Sequence, residues 1–141
     1  MKIISYNLNG LRAATKLNVL NWIKQEDADI ICLQEVRAEQ NVCEEILREF
    51  RNNYSITFNC GEKKGYSGTV TLSKVKPIKV TLGLINNEKD VEGRTIITMF
   101  DEYVVINSYV PNGSKRLEYK KEFLKDLKKG LLHTFCMICK P

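Results

Sequence analysis

The chain has 141 residues, of which 43% are hydrophobic and 28% charged, with a formal net charge of +5. That length and composition give one small domain with material for a core, and they exclude a disordered or low-complexity polypeptide. No apolar run approaches the ~20 residues that span a bilayer, and the opening MKIISYNLNG lacks a signal peptide's basic lead and long apolar stretch.

The expectation is therefore a cytoplasmic protein with no membrane partner. Its five cysteines, an odd number without regular spacing, read as reduced thiols. In chain order, Lys2–Ser5 (KIIS) reads as a strand running into the turn composition of Asn7-Leu8-Asn9-Gly10. From about Arg12 to Gln25, Ala13, Leu17, Leu20 and Ile23 recur at helical spacing. Next comes DIICLQE, Asp29–Glu35, an unbroken apolar run closed by an amide and a carboxylate. Such a run predicts a strand buried on both faces, with Cys32 as a small core residue. Glu35 is then either the first solvated residue after the strand or an acid placed at a strand end, where open sheets gather their sites.

A helix is predicted over Glu39–Arg51, with Val42, Ile46 and Phe50 on one face. Alternation of Tyr54, Ile56 and Phe58 then gives strand spacing. Glycines bracket Tyr66 in KKGYSGTVTLS, and Val75-Lys76-Pro77 turns the chain. Strands follow at IKVTLGL, RTIITMF and YVVINSYV. Lys115–Lys129 returns to helical composition with Leu117, Leu124 and Leu127 as its apolar positions. With no internal repeat or linker, the order predicts a single α/β (α+β) domain. Its basic excess lies beyond residue 60, in Lys63-Lys64, Lys74, Lys76, Lys79 and the 115–129 segment. That suits a polyanion such as nucleic acid, and equally a solvated lysine face.

Asn7, Glu35, Tyr109 and Asn112 all stand where a predicted strand gives way to a loop. Singly, each has a plain alternative: Asn112 as a turn former and Tyr109 as a core aromatic with a satisfied hydroxyl. Together with their neighbours they resemble the exonuclease III branch of the AP endonucleases, in the endonuclease/exonuclease/phosphatase superfamily. The matching stretches are SYNLNGLRA (Ser5–Ala13), DIICLQEVRA (Asp29–Ala38), KKGYSGTVTLSK (Lys63–Lys74), EGR (Glu92–Arg94), YVPN (Tyr109–Asn112) and RLEYK (Arg116–Lys120). They cover residues 1 to about 129, in register.

The resemblance implies a Mg²⁺-dependent (or Mn²⁺-dependent) phosphodiesterase acting on duplex DNA at abasic sites and 3′ ends. It implies Glu35 on the metal with Asn7 beside it, Tyr109 and Asn112 as catalytic residues near the phosphate, and Arg12, Arg37 and Tyr66 on the DNA-facing surface. Oxygen ligands suit a hard cation, and the arginine fork suits phosphate. Arg12 and Arg37 read equally as solvated loop charges, and Arg94 either as part of that DNA-facing surface or as an ion-pair partner. The fold implied is the N-terminal half of a four-layer α/β/β/α sandwich, mostly one mixed sheet with flanking helices. Other readings are a phosphatase of the same superfamily and a non-catalytic DNA-binding fragment.

The resemblance also implies a later strand ending in G-D-x-N, a further Asp and a terminal D-H pair. In place of these, residues 130–141 read GLLHTFCMICKP, an out-of-family tail of the kind a truncation or frameshift leaves. His133, Cys136 and Cys139 fall short of the four ligands of a structural zinc site. Weak or absent activity is the expectation for this chain alone. A sheet face of Val, Ile and Leu left without cover is also expected, and with it self-association.

Overall fold

The computed structural model describes residues 1–84, 90–114 and 116–138, the side chains of 133–138 excepted. Strand β1 (Ile3–Asn7) pairs in parallel with β2 (Ile30–Gln34), and β2 runs antiparallel to β4 (Thr69–Ser73). β3 (Ser55–Asn59) closes this mixed sheet on the far side of β4. A second, antiparallel sheet has the order β5 (Lys79–Leu82), β6 (Thr95–Met99), β7 (Val104–Ser108). The parallel step from β1 to β2 requires a crossover, supplied by helices α1 (Leu11–Lys16) and α2 (Val19–Glu26).

The two faces of the mixed sheet differ in chemistry. On one, Ile31, Leu33, Val70 and Leu72 pack against Leu11, Ala14, Leu20 and Ile23 of α1 and α2, with Cys43 of α3 (Gln40–Ile46), Leu47 and Phe50. On the other, Ile30 and Cys32 meet Phe100, Tyr103 and Val105. Helices, mixed sheet and antiparallel sheet thus stack in the order expected for half of an α/β/β/α sandwich. Burial pushes the Cys32 thiol up to about 11, as befits the core role expected of it.

The helices depart from their sequence reading in phase. The single helix predicted from Arg12 to Gln25 breaks at Asn18, whose φ of 63° is left-handed, and Leu17 is left 76% exposed. The break resets the phase, so Leu11 and Ala14 are buried in place of Ala13 and Leu17. The helix expected over 39–51 ends as α3 at Ile46 and tightens into a 3-10 turn, Arg48–Asn52, which buries Phe50. Helix α4 (Leu117–Ile138) buries Phe123 and leaves Leu117 and Leu124 exposed.

The expected bare Val/Ile/Leu face is not found. The inner face of β4 is Thr69, Thr71 and Ser73, none more than 2% exposed, because β6 and β7 lie over β4. Asn107 of β7 bridges the sheets. Its Nδ2 donates to the carbonyl of Val70 (2.9 Å) and to Thr71 Oγ1 (3.1 Å), and its Oδ1 accepts from Gln34 Nε2 (2.9 Å). Apolar side chains remain exposed at the flank of β1, where Ile3 is 49% exposed, and on β5, where Leu82 is 51% exposed.

No helix among the described residues is long and apolar enough to cross a membrane. The side chains of His133 and Cys136, and all of Cys139, lie outside the described residues.

Candidate active site

Strand direction gathers the site. β1 and β2 are parallel with Asn7 level with Gln34, so Asn7 and Glu35 leave the sheet at the same edge. β4 is antiparallel and begins there, which brings in Tyr66 and Ser67 from the loop before it. In the second sheet β6 begins and β7 ends at this edge, which brings in Arg94 and Tyr109. Five loops therefore converge between the two sheets.

The loop after β2 is held in an unusual conformation. Glu35 and Arg37 have φ of 56° and 50°, and Ser67 opposite them has 54°. Left-handed geometry costs a non-glycine residue on the order of 1–2 kcal/mol, so it persists only where the surroundings over-determine it. Backbone hydrogen bonds do so here. Gly10 and Leu11 donate to the carbonyls of Glu35 and Val36 (both 2.8 Å). Val36 and Arg37 donate in turn to those of Gly68 (3.1 Å) and Ser67 (2.8 Å). Gly93, with φ of 63°, is also required, since a Cβ there would collide with the carbonyl of Asn59 and the backbone of Cys60.

Glu35, Arg37, Tyr66, Ser67, Arg94, Tyr109, Asn112 and Arg116 line a pocket of about 350 Å³. Within it Glu35 is paired with Arg37, and the Asn7 and Tyr109 side chains stand near enough to favour its charged form. Burial pushes the Glu35 carboxyl up, but the donors Asn7, Arg37 and Tyr109 outweigh it and hold the group below the usual glutamate range. Glu35 is consequently ionised at neutral pH. Burial and the neighbouring Glu35 charge push the Tyr109 phenol up, so it stays protonated and donates.

Arg94 forms the pocket's inner wall and is 3% exposed. Its guanidinium is paired with Glu92 and lies 4.8 Å from the ring centroid of Tyr109 and 5.8 Å from that of Tyr66. It also donates to the Tyr109 carbonyl (3.0 Å) and to the Tyr66 hydroxyl (3.1 Å). Arg116 of the loop before α4 donates to the same hydroxyl (3.0 Å) and to Glu92 (2.7 Å). Of its two sequence readings Arg94 thus shows the ion-pair role, and its guanidinium also packs on the rings of two pocket residues.

Six of the seven residues singled out from sequence are brought together: Asn7, Glu35, Arg37, Tyr66, Tyr109 and Asn112. Asn112 also shows its turn-forming side, with Oδ1 accepting from the Ser114 backbone (3.0 Å). Arg12 is placed elsewhere, lining a groove of about 510 Å³ between α1, α2 and α3 with Lys24 and Arg48. Sequence reasoning missed Glu92, Arg116 and Ser67 as site residues. Glu92 and Arg116 lie within EGR and RLEYK, so the motifs held them without showing that they meet.

Oxygen chemistry at the pocket fits a hard divalent cation. Glu35 supplies one ionised carboxylate, and Mg²⁺ takes one or two, completing its shell with water and phosphate. Asn7 Oδ1 accepts from the Asn9 backbone (3.0 Å), so its amide nitrogen is the group turned to Glu35. Among the described residues no cluster of three or more His, Cys, Asp or Glu side chains forms a larger ligand set.

Residues 4–134 match the Endonuclease/Exonuclease/phosphatase family. Among curated proteins, the chain is 40% identical over 134 residues to the DNA repair nuclease APEX1 of Danio rerio, covering 91% of this chain and 43% of that protein. It is 41% identical over 127 residues to the exodeoxyribonuclease of Bacillus subtilis (strain 168), covering 87% and 49%. The AP endonuclease of Archaeoglobus fulgidus has a similar structure, with a TM-score of 0.79, 32% identity and coverage of 95% of this chain and 52% of its own. The chain spans about half the length of the relatives it matches. With the shared fold, the six converging residues and a match over nearly its whole length, the chain belongs to the Endonuclease/Exonuclease/phosphatase family.

Proposed function

We propose that the chain carries the metal-holding and phosphate-facing half of a divalent-metal-dependent DNA repair nuclease that hydrolyses phosphodiesters at abasic sites and 3′ ends of duplex DNA. The observation that carries this reading is Glu35, ionised and held by Asn7, Arg37 and Tyr109, at the mouth of an arginine-walled pocket. Similarity to a DNA repair nuclease, an exodeoxyribonuclease and an AP endonuclease supports the choice of DNA over an inositol phosphate.

In this reading Glu35 holds the Mg²⁺ (or Mn²⁺), and Asn7 orients the carboxylate. A cation so held would neutralise charge on the scissile phosphate and its leaving oxygen. Tyr109, protonated at neutral pH, donates toward the same region, and Asn112 offers its amide to phosphate. Arg37 and Tyr66 contact the DNA backbone, and Arg12 extends that surface along the helices. Glu35 is the only carboxylate among the residues lining the pocket, and it already serves the cation. A second group to take a proton from the attacking water is thus not found among the described lining residues. Positioned acid–base groups are worth roughly 10²–10⁴-fold, so the chain alone is expected to cut weakly or not at all. A second copy is the proposed cover for the exposed flank of β1.

The test is incision of a duplex with one abasic site, with Mg²⁺, beside EDTA and Glu35→Ala controls and an inositol phosphate as rival substrate. Expected is duplex binding with at most slow, Mg²⁺-dependent cutting that EDTA and Glu35→Ala abolish. Phosphate release from the inositol phosphate without duplex binding would overturn the reading. Duplex binding that needs neither Mg²⁺ nor Glu35, with no cutting at any protein concentration, would leave a DNA-binding fragment instead.

A further inference from the structure

Ser67 is unlike every other residue of the pocket. It is 2% exposed, and its hydroxyl has no hydrogen-bond partner. A buried hydroxyl left unpaired costs on the order of 1–3 kcal/mol. Ser67 also holds a left-handed φ of 54°, a conformation its carbonyl helps to fix by accepting from Arg37. Two independent costs at one position, at the wall of a pocket, are the pattern expected where a side chain is kept ready for a ligand.

The neighbours say what kind of ligand. Arg37, Arg94 and Arg116 line the same pocket, with the amide of Asn112 and the hydroxyl of Tyr109. Every one of these groups donates hydrogen bonds, and the three arginines exceed by one the two carboxylates, Glu35 and Glu92, that pair with them. A tetrahedral oxyanion with several acceptor oxygens matches that set, whereas a neutral sugar or base edge does not. The geometry points to Ser67 as a phosphate-binding residue, its Oγ–H donating to a non-bridging oxygen of the phosphate held between Arg94, Asn112 and Arg116. This deepens the nuclease reading and rests on it for the identity of the phosphate as a DNA phosphodiester. The oxyanion contact itself does not depend on DNA.

Thr98 supplies the control. It is the other described residue with a buried, partnerless side-chain hydroxyl, it is 1% exposed, and it lies in the second sheet outside the pocket lining. The experiment is a titration of the full chain with inorganic phosphate, followed by amide chemical shifts, for the wild type, Ser67→Ala, Ser67→Gly and Thr98→Val. Ser67→Gly removes the hydroxyl while relieving the left-handed backbone, so it separates binding from strain.

Both Ser67 variants should weaken phosphate binding about tenfold and alike, a ratio worth about 1.4 kcal/mol. Thr98→Val should leave it unchanged. Equal affinity in all four proteins, or no phosphate binding by the folded wild type, overturns the inference. A parallel titration with the abasic duplex keeps the two readings apart. Phosphate binding that needs Ser67, without duplex binding, would sink the nuclease reading and leave this contact standing.

Discussion

Glu92 joins two arginines of unequal burial, and the inequality sets what its loss should do. The Arg94 side chain is 4% exposed and that of Arg116 is 43% exposed, while Glu92 itself is 17% exposed. Removing the carboxylate leaves the Arg94 charge in a place water hardly reaches, and breaking a buried pair from one side costs roughly 3–5 kcal/mol. Glu92→Ala should therefore lower the unfolding free energy in urea by about 3 kcal/mol. Glu118→Ala, which breaks the exposed pair with Lys121, should change it by less than about 0.5 kcal/mol.

The pair also has a pH signature. Burial pushes the Glu92 carboxyl up, but Arg116 and Arg94 outweigh it and hold the group below the ordinary glutamate value of about 4.3. The unfolded chain then takes up its proton first on acidification. The contribution is full above about pH 5 and is lost as pH falls through the depressed value. Glu35, depressed in the same direction, adds to the same limb. Urea unfolding between pH 3 and 6 should show stability falling toward acid, and Glu92→Gln should flatten that fall without removing it. An unchanged slope would mean that Glu92 does not carry it. At this scale the strand ends made Glu35, Tyr109 and Asn7 candidates, and the family resemblance gave them their roles. The sequence was silent on Ser67, whose distinction is a backbone angle and a buried hydroxyl that no residue pattern displays.

Asn107 does for the sheets what Glu92 does for the pocket. A lone amide on the inner face of β7, it reaches across to β2 and β4 and is 2% exposed. Replacing it by leucine keeps the volume but leaves the Gln34 amide and Thr71 hydroxyl without that partner. With a buried polar group left unsatisfied costing about 1–3 kcal/mol, Asn107→Leu should destabilise by about 2–4 kcal/mol. Because Gln34 adjoins Glu35, the amide resonances of Glu35 and Arg37 should shift as well. If stability and those resonances both stay put, the bridge is incidental. The strand carrying Asn107 was legible in YVVINSYV; the bridge was not, since the facing strand lies over thirty residues earlier. The helix phase errors have the same root. Ala13 and Leu17 fit a helical period as well as Leu11 and Ala14 do, and only the left-handed break at Asn18 decides between them.

The two sheets do not sit squarely on each other. β7 lies over β2 and β4, and β6 over β4 and β3, so the second sheet is centred away from β1. β1 and β7 are also the terminal strands of their sheets on that side, which leaves a row of unpaired backbone groups on each among the described residues. The inner flank of β1, where Ile3, Ser5 and Asn7 are all exposed, faces the space that one more strand beside β7 would fill. Two open edges bordering one exposed flank favour pairing with another chain, and a second copy brings the same edges in matching number. Sedimentation velocity should therefore show a concentration-dependent dimer. Ile3→Lys, which puts an inward-pointing charge on the edge strand, should return it to monomer. Leu17→Lys, on the helical surface and 76% exposed, should not. A monomer at every concentration, or a dimer indifferent to Ile3→Lys, would sink the idea. Asn7 ends this same strand and turns its amide to Glu35, so whatever pairs there abuts the site. Dimerisation should then also perturb the Glu35 and Tyr109 amide resonances, which a contact through the helices would leave alone.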